Sequence, residues 1–204
     1  MSYCDGLIAR GLPKGDCSLQ PKKGFEKEAL LINRADIDWS GVQYDTTRKN
    51  VLTALPLLSG KKAFEVYQQG SQPFNGSTSS ATVGTYVNTV SKNLVVAILN
   101  NDPAVSEEFI DPALNGDFVA IVQCKDKGSD NAGAFKVLGL DNGLTMSAFE
   151  ADPYGDAFNG GILTLTESDA PTVNIYLGAS YTAGKALYDG LKTAASYPPN
   201  GYDI

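Results

Sequence analysis

The chain contains no histidine, one tryptophan and three cysteines in 204 residues. Without imidazole it cannot build a Ser-His-Asp or Cys-His nucleophile pair, a His-ligated zinc site or a histidine proton shuttle. A large share of hydrolytic chemistry is thereby excluded. Cys4, Cys17 and Cys124 are an odd number with no CxxC pair, so they define neither a disulfide framework nor a zinc site. Reduced or buried thiols are the expectation; a Cys4–Cys17 bridge would staple a Gly- and Pro-rich segment, but only in an oxidising environment. Long apolar runs are missing too. None approaches the roughly 18 residues that read as a membrane span, and Met1-Ser2-Tyr3-Cys4-Asp5 lacks the basic-then-apolar order of a signal peptide. We expect no membrane partner and synthesis in the cytoplasm.

Positive charge is scarce: 16 Lys and Arg stand against 23 Asp and Glu, for a net charge of −7. The imbalance sits in one place. Residues 100–156 carry 11 carboxylates against 3 cations, whereas residues 1–50 are nearly neutral with 7 against 8. Such a segment repels phosphate, and no Lys- or Arg-rich stripe with interleaved aromatics argues for duplex binding. Two uses fit the excess: solvated loops that keep the protein soluble, or a surface that faces nucleic acid without holding it.

What the chain does have is β-forming sequence. From Val51 to Leu177 it is rich in Val, Ile, Thr, Tyr and Phe, broken by Gly, Asn, Asp and Ser clusters. This length and hydrophobic content suit one principal domain. We divide the chain into an irregular N-terminal arm, residues 1–24, a β-rich domain, residues 25–196, and a tail, residues 197–204. The fold class expected is mainly β: a β-sandwich or partly open β-barrel, with a long projecting hairpin and one or two short flanking helices.

Strands are expected over Ala29 to Ile32, Val51 to Leu58 (ended or confined to an edge by Pro56), Phe64 to Tyr67, Thr82 to Val90 and Leu94 to Leu99. The polar connector from Gln68 to Ser80 reads as the tip of the projecting hairpin. Asn101-Asp102-Pro103 opens a short helix, with a capping carboxylate before Pro at the first helical position. Phe118 to Cys124 is apolar on both faces and therefore central. Asp141-Asn142-Gly143 reads as a hairpin turn between Ala134–Leu140 and Leu144–Ser147. Strands at Ile162 to Thr166 and Val173 to Leu177 follow, and Thr182 to Ala195 has the 3.6-residue spacing of a C-terminal helix.

Motifs for chemistry are weak. Gly178-Ala179-Ser180-Tyr181-Thr182-Ala183-Gly184-Lys185-Ala186 departs from a phosphate loop, with five residues between the glycines and Ala186 where Ser or Thr would hold magnesium. Asp126 with Asp130, and Asp152 with Asp156, lack the spacing and terminal Glu of a calcium hand and read as turn formers. Glu107 with Glu108, or Glu150 with Asp152, could serve a glycosidase, but a lone Trp39 is thin support for an aromatic-lined cleft. Trp39 reads as a core or interface anchor. No catalytic residue, metal ligand or cofactor is assigned, and none is expected to be needed for folding.

The order of elements resembles the tail-tube-like ring proteins of tailed bacteriophages infecting Bacteroidetes, crAss-like phages among them. The residues that carry the likeness are the arm with Cys4 and Cys17, the passage Ala29-Leu30-Leu31-Ile32-Asn33-Arg34-Ala35-Asp36-Ile37, and the strand pair ending at Asn100-Asn101-Asp102. Further on they are Phe118 to Cys124, Phe135-Lys136-Val137-Leu138-Gly139, Gly143-Leu144, and Gly160-Gly161-Ile162-Leu163-Thr164-Leu165-Thr166. The resemblance implies a structural virion protein of the tail or neck. Its protomers would join edge to edge in a ring for DNA passage, meet neighbouring tail or neck ring proteins, and assemble in the host cytoplasm.

On this reading the assembly interface is expected at Tyr3, Leu7, Ile8 and Leu12 of the arm and at Gln72, Pro73, Phe74 and Asn75 of the connector. A DNA channel is expected to be lined or flanked by Asp126, Asp130, Glu150, Asp152 and Asp156. The competing readings are a monomeric or dimeric β-sandwich that binds carbohydrate or a surface, and an enzyme using paired carboxylates.

Overall fold

The computed structural model describes residue 8, residues 10–12, 22–99, 102–128 and 131–151, residue 154, and residues 160–193. Among the described residues eleven strands run in chain order: β1 (Phe25–Asn33), β2 (Gln43–Tyr44), β3 (Val51–Ala54), β4 (Phe64–Tyr67), β5 (Thr78–Thr82), β6 (Thr89–Ile98), β7 (Phe118–Cys124), β8 (Phe135–Leu138), β9 (Thr145–Glu150), β10 (Gly161–Ala170) and β11 (Ile175–Leu177). Seven of them form one sheet in the order β2-β3-β11-β8-β7-β1-β4, and four form a second in the order β5-β6-β10-β9. The protein is therefore a mainly β, sandwich-like fold with no closed barrel.

The two apolar faces of β1 and β7 explain a third layer. Ala29, Leu31, Phe118, Ala120 and Val122 face the small sheet and pack with its Leu94, Val96, Leu163 and Leu165. Leu30, Ile32, Val119 and Ile121 face the other way, into a second core that includes Phe135, Tyr188 and Leu191. Tyr188 and Leu191 belong to helix α3 (Tyr181–Leu191), which covers the outer face of the large sheet. Ser180 caps this helix by accepting a hydrogen bond from the Ala183 N–H at 3.3 Å. The glycines of the phosphate-loop lookalike have a packing role. A Cβ on Gly178, whose φ is +81°, would lie 2.2 Å from the Gly184 nitrogen, and one on Gly184 would lie 2.4 Å from the Leu177 carbonyl oxygen. They let the helix sit directly on β11.

The expected helix after Asp102 is present, in three parts: α1 (Pro103–Val105), a π-helical turn (Ser106–Ile110) and α2 (Asp111–Asn115). Asp102 Oδ1 accepts from the Val105 N–H at 2.8 Å. Pro112 accounts for the widened middle. Its ring clashes with a regular helix one turn earlier, and the N–H of Asp111 reaches back to Ser106, five residues away. Ile110 and Ala113 plug the gap between the sheets.

Three sequence expectations need correction. The Gln68 to Ser80 connector is no hairpin tip: β4 lies in the large sheet and β5 in the small one, so this stretch crosses between them. The hairpin is β5–β6, paired from Thr78↔Asn93 to Thr82↔Thr89, and its tip is residues 83–88. Asp141-Asn142-Gly143 makes its turn, but as a second crossover, since β8 and β9 also belong to different sheets. Leu144 meets Phe118 across a single bridge, with N···O distances of 2.7 and 3.0 Å. Strand alternation is the same for a hairpin and for a turn that changes sheets, so the sequence could not separate them. The strand from Val51 ends at Ala54, ahead of Pro56.

Candidate assembly interface

The small sheet has two edges, β5 and β9; β9 has a register shift against β10 and α2 packed beside it, whereas β5 differs from the protected edges of a typical monomer. All five residues of β5, Thr78-Ser79-Ser80-Ala81-Thr82, are exposed, and none is charged or proline. Edge strands of soluble proteins usually carry Lys, Pro or a bulge that blocks further pairing. β5 has none of these.

The tip beyond it is apolar and open: Val83, Tyr86 and Val87 are 86, 96 and 71% exposed. Gly84 holds the turn tight, because a Cβ there would meet the Val87 carbonyl oxygen at 2.2 Å. The opposite edge, β9, exposes Thr145, Ser147, Ala148 and Glu150. The alternation of β6 turns Val90, Lys92, Leu94, Val96 and Ile98 inward and leaves Thr89, Ser91, Asn93, Val95 and Ala97 outward. Across residues 66–101 the one charged side chain is Lys92, and it is fully buried. The outer face of β5 and β6 is thus uncharged.

The part of β6 that β5 does not reach is already occupied. The Gln68 amide donates to the Ala97 carbonyl at 2.9 Å and accepts from the Ala97 N–H at 3.0 Å, imitating one rung of a strand. Ser77 Oγ accepts from the Val95 N–H at 2.9 Å. The crossover therefore seals one half of this edge with side chains and leaves the other half, β5, open.

Beside the hairpin root lies the main buried polar group. Lys92 on β6 and Glu167 on β10 are directly opposed in register and both are wholly inaccessible. Lys92 Nζ lies 2.9 Å from Glu167 Oε2 and 4.0 Å from Asp141 Oδ2. Glu167 also receives three backbone N–H groups, from Gly139 at 3.0 Å and from Asp141 and Asn142 at 3.1 Å each. One carboxylate thus fastens the Asp141-Asn142-Gly143 crossover to the small sheet. Thr89 Oγ1 adds a bond to Asp169 Oδ1 at 3.0 Å, so the hairpin springs from a rigid base.

The residues expected to form the interface are placed as follows. Gln72 and Asn75 are exposed, but Pro73 and Phe74 are buried. Phe74 packs edge-on against Phe25, with ring centroids 6.4 Å apart, and is a core residue of the protomer and not a surface anchor. Ile8 and Leu12 are almost fully exposed; Tyr3 and Leu7 lie outside the described residues. Trp39 is 44% exposed and carries the Arg34 guanidinium 4.7 Å from its ring centre, so it is not a core anchor.

Of the expected channel residues, Asp126 forms a turn by accepting from the Gly128 N–H at 3.0 Å. It also shares a cleft with Lys22, Lys23 and Lys136. Glu150 is exposed at the end of β9. Asp130, Asp152 and Asp156 lie outside the described residues, as do Cys4 and Cys17. A further negative patch, outside the expected channel residues, is the helical insert: Asp102, Glu107, Glu108 and Asp111 are all exposed, and α2 packs beside β9. Cys124 is a buried free thiol, and burial pushes its pKa up, which makes it unreactive. Among the described residues there is no cluster of metal-ligating side chains, and no helix is long and apolar enough to cross a membrane.

Comparison of the chain with protein-family models, with curated proteins and with solved structures gave no match.

Proposed function

We propose that this chain is a non-catalytic structural protein whose copies join through the small sheet into a closed ring, as part of a phage tail or neck channel through which DNA passes. The observation that carries the reading is the open, uncharged β5 edge with its apolar tip. Unpaired strand edges invite pairing, and a ring removes them by matching the edge of each copy with a different edge of the next. β5 and β9 are the two ends of one four-stranded sheet. Pairing the β5 of one copy with the β9 of its neighbour continues the sheet around the ring. The exposed aromatics among the described residues, by contrast, lie on separate segments of the chain, Trp39, Tyr44, Phe64 with Tyr67, Tyr86 and Tyr154.

The outer face of the small sheet suits a channel wall. Ser80, Ser91, Asn93, Thr164 and Thr166 offer no cation to phosphate, so DNA would pass without counterion-release binding. Glu150 and the carboxylates of the insert would flank that wall and add repulsion. Introducing Ser91→Lys with Thr164→Lys is expected to make the assembly retain duplex DNA, with an affinity that falls steeply as salt rises. Unchanged DNA indifference would place this face on the outside of the ring.

Replacing Val83, Tyr86 and Val87 together by Ser tests the role of the tip. The expected result is a protomer with an unchanged circular dichroism spectrum and melting temperature that no longer assembles, because the three side chains are solvent-exposed in the single chain. Rings that form at the wild-type concentration would remove the tip from the interface. Deleting residues 72–79, in contrast, is expected to unfold the protomer, since it removes buried Phe74 and the start of β5.

A further inference from the structure

Lys92 occupies an unusual position. It is among the largest fully buried side chains of the described residues, and its Nζ makes no hydrogen bond among them although Glu167 Oε2 lies 2.9 Å away. A second carboxyl, that of Asp141, stands 4.0 Å from the same nitrogen. The two carboxyls are held differently. Both oxygens of Glu167 are engaged by the three crossover N–H groups. Among the described residues the Asp141 carboxyl accepts one hydrogen bond, the long Thr172 hydroxyl contact of 3.4 Å. Burial, countered by Lys92 and reinforced by Glu167, holds the Asp141 carboxyl above the usual carboxylate range. An amine and two carboxyls therefore meet at the margin of the sandwich core, the amine and the Glu167 carboxyl wholly buried and the Asp141 carboxyl partly so.

We propose that Lys92 and Asp141 condense into an intramolecular isopeptide bond, with Glu167 carrying the protons. Glu167 takes one proton from the Lys92 ammonium and passes it to the Asp141 carboxylate, which leaves a neutral amine facing a neutral carboxylic acid. The Nζ lone pair then attacks Cγ of Asp141. A second nitrogen proton moves through Glu167 to the hydroxyl, the Cγ–O bond breaks, and water departs. The sum is ammonium plus carboxylate giving amide plus water, with Glu167 unchanged and no oxidant, metal or nucleotide required. The bond would tie β6, the inner strand of the assembly hairpin, covalently to the crossover between the sheets. Load applied at the tip of residues 83–88 would then pass into the body of the protomer without unzipping β6.

The test is the mass of the purified full chain under denaturing conditions, followed by fragmentation of its proteolytic peptides. The expected result is a chain one water lighter than its sequence, with a branched peptide joining Lys92 to Asp141, and with Asp141→Ala at full mass. A chain at full mass, or a one-water deficit located elsewhere, overturns the proposal. Glu167→Gln is expected to stay at full mass for longer than the wild type; cross-linking at the wild-type rate would overturn the proton-carrying role. The wild-type measurement decides the bond even if that variant does not fold.

Discussion

Lys92→Met is expected to lower the unfolding free energy by about 3–5 kcal/mol, the cost typical of removing one partner from a buried ion pair. The variant leaves the wholly buried carboxylate of Glu167 facing an apolar side chain. Its three backbone N–H bonds survive, but no cation answers its charge. For a chain of this size each kcal/mol shifts the melting temperature by roughly 2–4 °C, so thermal unfolding reads the effect directly. If Lys92 is bonded to Asp141, its charge is already spent in the amide, and the measured drop then reads the loss of the covalent constraint and of the buried amide beside Glu167 in place of the ion pair. A change within about 0.5 kcal/mol, the range of ordinary surface substitutions, would mean that the pair is dispensable and that the crossover is held by other contacts.

The second large effect is on assembly and not on folding. Ser80→Lys places a cation in the middle of β5, at a position that is exposed in the protomer and that pairs outward with Ser91. Lysines on an edge strand disfavour strand addition, and Ser80 lies on the strand that would pair, whereas Ser91 and Thr164 lie on the inner strands β6 and β10. A ring repeats the defect at every interface. The expected outcome is a stable monomer in light scattering at concentrations where the wild type is oligomeric. Ser80→Thr, which keeps the edge uncharged and raises strand propensity, is expected to assemble normally. Equal oligomerisation of the Lys and Thr variants would contradict the use of this edge.

How much of this was legible in the sequence depends on the element. Phe118 to Cys124 was readable as a central strand because it is apolar at every position but Gln123, and the reason is now visible: a sheet covers one of its faces and a helix the other. The cap at Asp102, the helix after Ser180 and the mainly β, two-sheet class followed equally from local chemistry. The positions of the sheet changes did not. A turn such as Asp141-Asn142-Gly143 has the same residues whether its strands pair or part, and the carboxylate of Glu167, 25 to 28 positions beyond the N–H groups it binds, decides which. Phe74 was misplaced for a similar reason: a polar connector hides one aromatic that belongs to the core.

Lys92 was the missed signal. Within Thr89-Val90-Ser91-Lys92-Asn93-Leu94-Val95-Val96-Ala97-Ile98 it falls in phase with Val90, Leu94, Val96 and Ile98, the inward set. A lone charge on the core side of an alternating strand requires a buried counter-charge, and Glu167 stands in the corresponding inward phase of β10. The open β5 edge was also present in the sequence as a 36-residue stretch, 66–101, with one charge. Its meaning required knowing that Thr78–Thr82 ends a sheet.

The most direct test of the ring itself is native mass spectrometry of the purified wild-type chain together with electron microscopy of the same sample. The account predicts one closed cyclic oligomer, seen end-on as a ring with a central hole, in which β5 of each copy adjoins β9 of the next. A monodisperse monomer at the highest soluble concentration, or a two-fold dimer with β5 left open, would contradict it.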